Sequence, residues 1–208
     1  MTRRNILMLA AATALVSAGA VPWFARVARA EELKLFPDDR VLGESDAPVT
    51  IIEYSSLTCR HCAAFHQDTL PQIRETWIAE GKAKLVYRHF PLDGLALRAA
   101  AVANCIEGER YFSFLDILFK SQRRWAKASD PIKALGQMAR LAGLSKDKFE
   151  TCVSDKAEMD RILARRQDGS QTYGVQSTPT LIINGQKVEG ARSFKYLSTI
   201  IENAAAGI

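Results

Sequence analysis

The stretch Glu53-Tyr54-Ser55-Ser56-Leu57-Thr58-Cys59-Arg60-His61-Cys62-Ala63-Ala64-Phe65-His66 decides how the chain folds. Upstream of the cysteines, Pro48 to Tyr54 is β-branched and apolar, as a buried strand would be. Downstream, Cys62, His66, Leu70, Ile73 and Trp77 recur at helical spacing. The two thiols therefore sit at a strand-to-helix turn. There the free backbone N–H groups and the positive end of the helix dipole stabilise a thiolate, the nucleophile of disulfide exchange. Cys59 falls at the open rim of such a helix and Cys62 one turn in, more covered. The first can attack a substrate and the second can resolve.

Two duller uses of a CxxC pair weigh less. Structural zinc wants four ligands, yet there is no second CxxC and only three histidines, His61, His66 and His89. No metal or other cofactor is expected. A purely structural disulfide across two residues closes a loop too small to contribute much chain entropy.

Working outward, residues 1–30 read as an export signal. Arg3 and Arg4 precede an apolar run from Ile6 to Val21, and Ala28-Arg29-Ala30 fits an A-x-A cleavage site, so cleavage is expected after Ala30. Thr13 and Ser17 interrupt the run and Pro22, Arg26 and Arg29 follow it, which disfavours a membrane anchor. Thr2-Arg3-Arg4-Asn5-Ile6-Leu7 resembles a twin-arginine signal, but two arginines also suit an ordinary Sec signal, so the export route stays open. Without these residues Lys+Arg falls from 28 to 24 against 23 Asp+Glu. The basic balance is thus mostly signal, and nucleic-acid binding is not expected. Arg123-Arg124 and Arg165-Arg166 read as solvated helix faces.

Residues 31–47 form a polar lead-in with Pro37 and Gly43. After the first strand and a helix reaching about Gly81, with a kink expected at Pro71, a second strand spans Ala83 to Phe90. Helical faces then dominate: Leu95, Ala99, Val102 and Ile106; Tyr111, Phe114, Leu115 and Leu118; Leu135, Met138 and Ala142 after the Asp130-Pro131 start; Phe149 and Cys152 after Ser145; and Met159, Ile162, Leu163 and Arg166. Strands return at Thr180 to Ile183 and Gln186 to Glu189 around an Asn184-Gly185 hairpin turn, and Ser193 caps a last helix. The order is βαβ, a run of helices, then ββα.

Glu-x5-Cys-x-x-Cys-Ala-Ala-Phe-His, the Ala47-Pro48-Val49-Thr50 entry, Arg88-His89-Phe90-Pro91-Leu92 and Gly174-Val175-Gln176-Ser177-Thr178-Pro179-Thr180 followed by Asn184-Gly185 together resemble the DsbA-like thiol:disulfide oxidoreductases. The resemblance covers essentially the whole chain after residue 30. It implies an α/β thioredoxin fold, with core residues 48–92 and 174–208 and a helical subdomain, residues 93–173, inserted between the two halves. It also implies that Cys59 is the nucleophile and Cys62 its resolving partner, and that Pro179 is cis beside them, leaving the Thr178 backbone free to pair with an extended substrate.

The most studied oxidants of that family carry Pro-His between the cysteines, and here the pair is Arg60-His61. His61 is kept where an imidazole can stabilise the Cys59 thiolate; Arg60 either adds positive charge there or is a solvated side chain. Glu53, on a strand otherwise buried, is placed to move the proton of Cys62, or else to pair with a base such as Lys84 or Arg88. His66 is read as a packing or surface residue, and His89 has no assignment. Cys105 and Cys152 are expected to form a structural disulfide between two helices, with two buried free thiols as the alternative.

These readings imply an exported oxidase that gives the Cys59–Cys62 disulfide to newly translocated, unfolded or partly folded proteins in the periplasm. A membrane partner resembling the quinone-linked DsbB proteins would reoxidise it. A reductase or isomerase of the same fold is the alternative. Only about eighteen residues separate Ala30 from the first strand, too few for a dimerisation module, so a monomer is expected. A non-catalytic binding or holdase module is the third reading.

Overall fold

The computed structural model describes residues 33–207. The export-signal reading of residues 1–30 lies outside them. Five strands form one sheet in the order β1-β3-β2-β4-β5. Strand β2 (Val49–Ser55) is central and runs parallel to β3 (Ala83–His89), with Glu53 level with Tyr87. On its other side it pairs antiparallel with β4 (Thr180–Ile183), which turns back into β5 (Gln186–Glu189). Asn184 and Gly185 both take positive φ, 44° and 93°, as the two-residue turn requires.

The lead-in is not only extended chain. Its residues Arg40–Leu42 form β1, antiparallel to β3 at the sheet edge. Side chains then fasten the segment before it. Arg88 forks onto Asp39 at 3.0 and 2.7 Å and also reaches Tyr54 Oη at 2.8 Å, a pair almost wholly withdrawn from solvent. Arg165, expected to be solvated, pairs with Asp38 and lies over the Phe36 ring.

Between β2 and β3 the chain is helical from Arg60 to Ile78, but its pitch widens twice. Helix α1 (Arg60–Ala64) opens into a π turn (Phe65–Thr69), tightens as α2 (Leu70–Ile73), and opens again into a π turn (Arg74–Ile78). Pro71 lies just after the first π turn, inside the continuous helical run, where the N–H it lacks interrupts the hydrogen-bond ladder.

Six helices separate β3 from β4: α3 (Gly94–Asn104), α4 (Arg110–Lys120), α5 (Gln122–Ala126), α6 (Pro131–Leu141), α7 (Lys146–Val153) and α8 (Lys156–Tyr173). The last helix, α9 (Phe194–Ala206), buries Leu197, Ile200 and Ile201. Alternation along β2 assigns its two faces. Val49 and Ile51 join the large core with Phe65, Leu70 and Ile73 of the helical run that follows β2, α9 and most of the insertion. Ile52 and Tyr54 face the other way, toward Phe90, Val175 and Tyr173. Helix α8 comes so near on that side that a Cβ on Gly169 would lie 2.4 Å from the Tyr54 ring.

Candidate active site

Cys59 is the N-cap residue of α1, with extended backbone (φ −79°, ψ 120°) and a carbonyl that starts the helix by accepting from Ala63 N–H at 3.1 Å. The insertion holds this turn from outside. Gln122 of α5, buried, donates Nε2–H to the carbonyls of Leu57 (2.8 Å) and Cys59 (3.0 Å). Thr58 Oγ1 donates to Asp93, whose other oxygen caps α3. Two elements distant in sequence thus fix the backbone that aims the Cys59 sulfur.

The Thr178–Pro179 peptide bond is cis, and the Cys59 thiol donates to the Thr178 carbonyl at 3.3 Å. Cys59 is half-buried and Cys62 fully buried, and both are free thiols. Their acidities are pulled apart. The Cys62 thiol, donating to the Cys59 sulfur, is the largest influence on Cys59; against the cost of burial, and with Thr178 and the backbone N–H groups of Cys62 and His61, it lowers Cys59 to about 5. Burial, and then the neighbouring Cys59, push Cys62 well above the usual thiol range. His61 reaches Cys59 through its backbone N–H, while its ring faces Arg60, whose Nε–H donates to His61 Nε2 at 3.4 Å.

Glu53 faces the same side of β2 as Ser55, the side covered by α1. It pairs with neither Lys84 nor Arg88. Lys84 bonds the Ser45 carbonyl, and Arg88, level with Tyr54 in the register, points to the opposite face. Its partner is His66, at 2.9 Å between Oε1 and Nε2, with both side chains sealed from solvent. His66 is therefore neither a surface residue nor mere packing, which corrects the reading of the sequence. A histidine one helical turn beyond a buried thiol, on the stripe facing a strand that carries a lone acid, was the available signal. His89 is also buried, against Tyr111 Oη at 3.1 Å, and desolvation holds it neutral at about 3.

Cys105, which caps the C-terminus of α3, and Cys152 of α7 are bonded, with their Cα atoms 6.3 Å apart and a separation of 47 positions in sequence. Among the described residues no three His, Cys, Asp or Glu side chains gather as a metal site would need, and no helix is long and apolar enough to cross a membrane.

The thioredoxin family model matches residues 36–203. Wolbachia pipientis alpha-DsbA1 is 34% identical and superposes with a TM-score of 0.77 over 84% of this chain and 94% of its own. The chain is a DsbA-like member of the thioredoxin family. Bacillus subtilis disulfide bond formation protein D is 27% identical over 80% of this chain and 77% of its own length. A Rickettsia bellii protein provisionally named a protein-disulfide oxidoreductase is 28% identical over 82% of this chain. This DsbA-like chain spans 58–66% of the length of that protein and its Rickettsia counterparts.

Proposed function

We propose that the protein is an exported thiol:disulfide oxidoreductase that donates the Cys59–Cys62 disulfide to newly translocated proteins in the periplasm. The observation that carries the reading is the split between the thiols, with Cys59 held at about 5 and Cys62 pushed up. A thiolate stabilised in the reduced enzyme makes that state the favoured one, so the disulfide passes readily to a client.

A client thiolate attacks Cys59 Sγ; the Cys59–Cys62 bond breaks, its electron pair goes to Cys62, and a mixed disulfide forms. Glu53 supplies the proton that Cys62 takes up. The client's second thiolate then attacks its own sulfur in the mixed disulfide and expels Cys59 as a thiolate, a good leaving group because its acid is strong. The backbone at Thr178, beside the reacting sulfur, pairs with an extended client segment by strand addition. A quinone-linked membrane protein of the DsbB kind restores the disulfide, the protein works as a monomer, and residues 1–30 serve as the export signal.

The deciding measurement is the equilibrium of Cys59–Cys62 with glutathione, beside oxidation of a reduced peptide. Expected are a potential well above the thioredoxin value of about −270 mV and rapid peptide oxidation. A potential near that value, with insulin reduction faster than peptide oxidation, would make the protein a reductase.

A further inference from the structure

Cys62 is fully buried, yet in the disulfide-exchange reading, on which this inference rests, it must gain a proton and lose one in every cycle. Burial disfavours its anion, and no solvent reaches the sulfur directly. Four buried polar atoms close to one another lack a hydrogen-bond partner: Glu53 Oε2, Ser55 Oγ, His66 Nδ1 and Tyr87 Oη. Each such atom costs about 1–3 kcal/mol, and their concentration in one place calls for a functional reason.

The cluster is directional. Glu53 Oε1 lies 2.9 Å from His66 Nε2, and His66 Nδ1 lies 3.7 Å from Asp116 Oδ1 on α4. The Asp116 side chain is 39% exposed and is held by the Arg74 fork at 2.5 and 3.1 Å. One imidazole therefore spans a carboxylate shut off from water and one open to it. Phe119 stacks on the ring at 4.0 Å, and Phe65 and Tyr87 meet it edge-on, so its remaining sides are walled by aromatic rings. His66 occupies the first π turn, a wide turn of a kind often found where a side chain is aimed for function.

We infer that His66 is a positioning residue of the exchange reaction, passing protons for the buried Cys62, by way of Glu53 on the sheet face that α1 covers, to and from solvent at Asp116. When Cys62 leaves Cys59 with the electron pair of the broken bond, a proton held on the Glu53–His66 pair goes to Cys62. The pair then takes one from water through His66 Nδ1 beside Asp116. When Cys62 attacks a mixed disulfide on Cys59, its proton travels the same way outward. The only oxidant is the disulfide being exchanged. Charged and titratable groups face the ring from every packed element: Glu53 from β2, Tyr87 from β3, Asp116 from α4, and Arg74 through Asp116. Burial would lower His66, but Glu53 and then Asp116 outweigh it and leave it raised, so the two carboxylates favour holding a proton on the ring.

The test is single-turnover resolution, by Cys62, of a glutathione mixed disulfide on Cys59, followed from acid to alkaline pH. H66Q should slow this step about 10²-fold at neutral pH, within the usual range for assisted proton transfer. The deficit should close as pH rises and the Cys62 thiol ionises without help from the relay. E53Q should be slowed likewise, and the E53Q/H66Q double variant no more than E53Q alone. D116N, at the exposed end, should show a smaller loss of the same pH form and serves where H66Q does not fold. A pH profile for H66Q and D116N parallel to that of the wild type, with rates following only their melting temperatures, would overturn the relay and leave the oxidoreductase reading standing. A wild-type protein that exchanges no disulfide with glutathione would overturn both.

Discussion

The molecule contains two pairs of cysteines in contrasting settings, although each has one half-buried and one buried member. Cys59 and Cys62 are three residues apart at a helix N-terminus, under a cis proline, with one sulfur half-exposed. Cys105 and Cys152 lie 47 residues apart. Cys105 caps a helix C-terminus, where the dipole disfavours a thiolate, and Cys152 is buried in the core of the insertion. Whether a disulfide is exchanged or kept follows from how well its thiolate is stabilised and whether another sulfur can reach it. The first pair satisfies both conditions, the Cys62 thiol and the backbone N–H groups stabilising the Cys59 thiolate; the second lacks the first of them.

The largest expected contrast is in chemistry. Cys59→Ser should abolish all enzyme-dependent exchange, because no other sulfur at the site is accessible, and Cys62→Ala should accumulate mixed disulfides with reduced client proteins. Replacing Cys105 and Cys152 together by alanine should leave the exchange rate essentially unchanged. Peptide oxidation assays and non-reducing gels report each outcome. Trapping by Cys59→Ser and not by Cys62→Ala would reverse the roles.

In stability the order inverts. The Cys105–Cys152 bond ties α3 to α7 and closes a long loop, for which chain entropy gives about 4 kcal/mol as an upper guide. The double alanine variant should therefore melt about 10 °C lower. Peptide mapping of the untreated protein checks the bond itself; recovery of both residues as free thiols would remove the basis of this prediction.

Much of this arrangement was legible in the sequence because its markers are local. The apolar run into Cys59-Arg60-His61-Cys62, the Asn184-Gly185 turn and the capping residues Asp130, Ser145 and Ser193 each act within a few positions, and the structure has each element where they put it. Strand β1 was missed because three residues at a sheet edge show no alternation, and only pairing with β3 makes them a strand. The cluster around Glu53 was missed for a related reason. His66, Tyr87 and Asp116 come from three elements, and which face of β2 and β3 each residue occupies depends on register. A histidine on an apolar helical stripe reads as packing until the acid opposite is in place. The Asp39–Arg88 pair hid in the same way, in a lead-in with no periodicity.

A smaller effect concerns the two redox forms. Cys59 is lowered in the folded protein to about 5 from an ordinary value of 9.0, so reduced protein gains stability that is complete above pH about 9 and is lost as pH falls through about 5. Because the sulfur is half-exposed, solvent screening reduces the gain to about 1–2 kcal/mol near neutrality. Cys62 acts in the opposite direction. Its raised value removes stability above pH about 9, where only the unfolded thiol ionises. The oxidised form has neither titration. The difference in melting temperature between reduced and oxidised protein should therefore rise from pH 5 toward 9 and fall beyond it. A flat difference would mean that the two thiols are not split, and the active pair would lose its distinction from Cys105–Cys152.

The smallest effect tests how the split is maintained. Thr178 is buried, and its hydroxyl has no hydrogen-bond partner in the thiol form, so it is free to help stabilise the Cys59 thiolate. Thr178→Val preserves shape and backbone while removing that one donor. It should raise Cys59 by less than about one unit, since the Cys62 thiol and the backbone N–H groups of Cys62 and His61 remain. Destabilising the thiolate destabilises the reduced enzyme, so the reduction potential should fall, by up to about 30 mV for a full unit in this two-electron couple. Thiolate absorbance against pH measures the first quantity and glutathione equilibration the second, and the two should move together. A shift in potential without a shift in titration would place the influence of Thr178 on the disulfide form. The chemical difference between the two cysteine pairs would then lie partly in how the oxidised bond is held, and not only in how the thiolate is received.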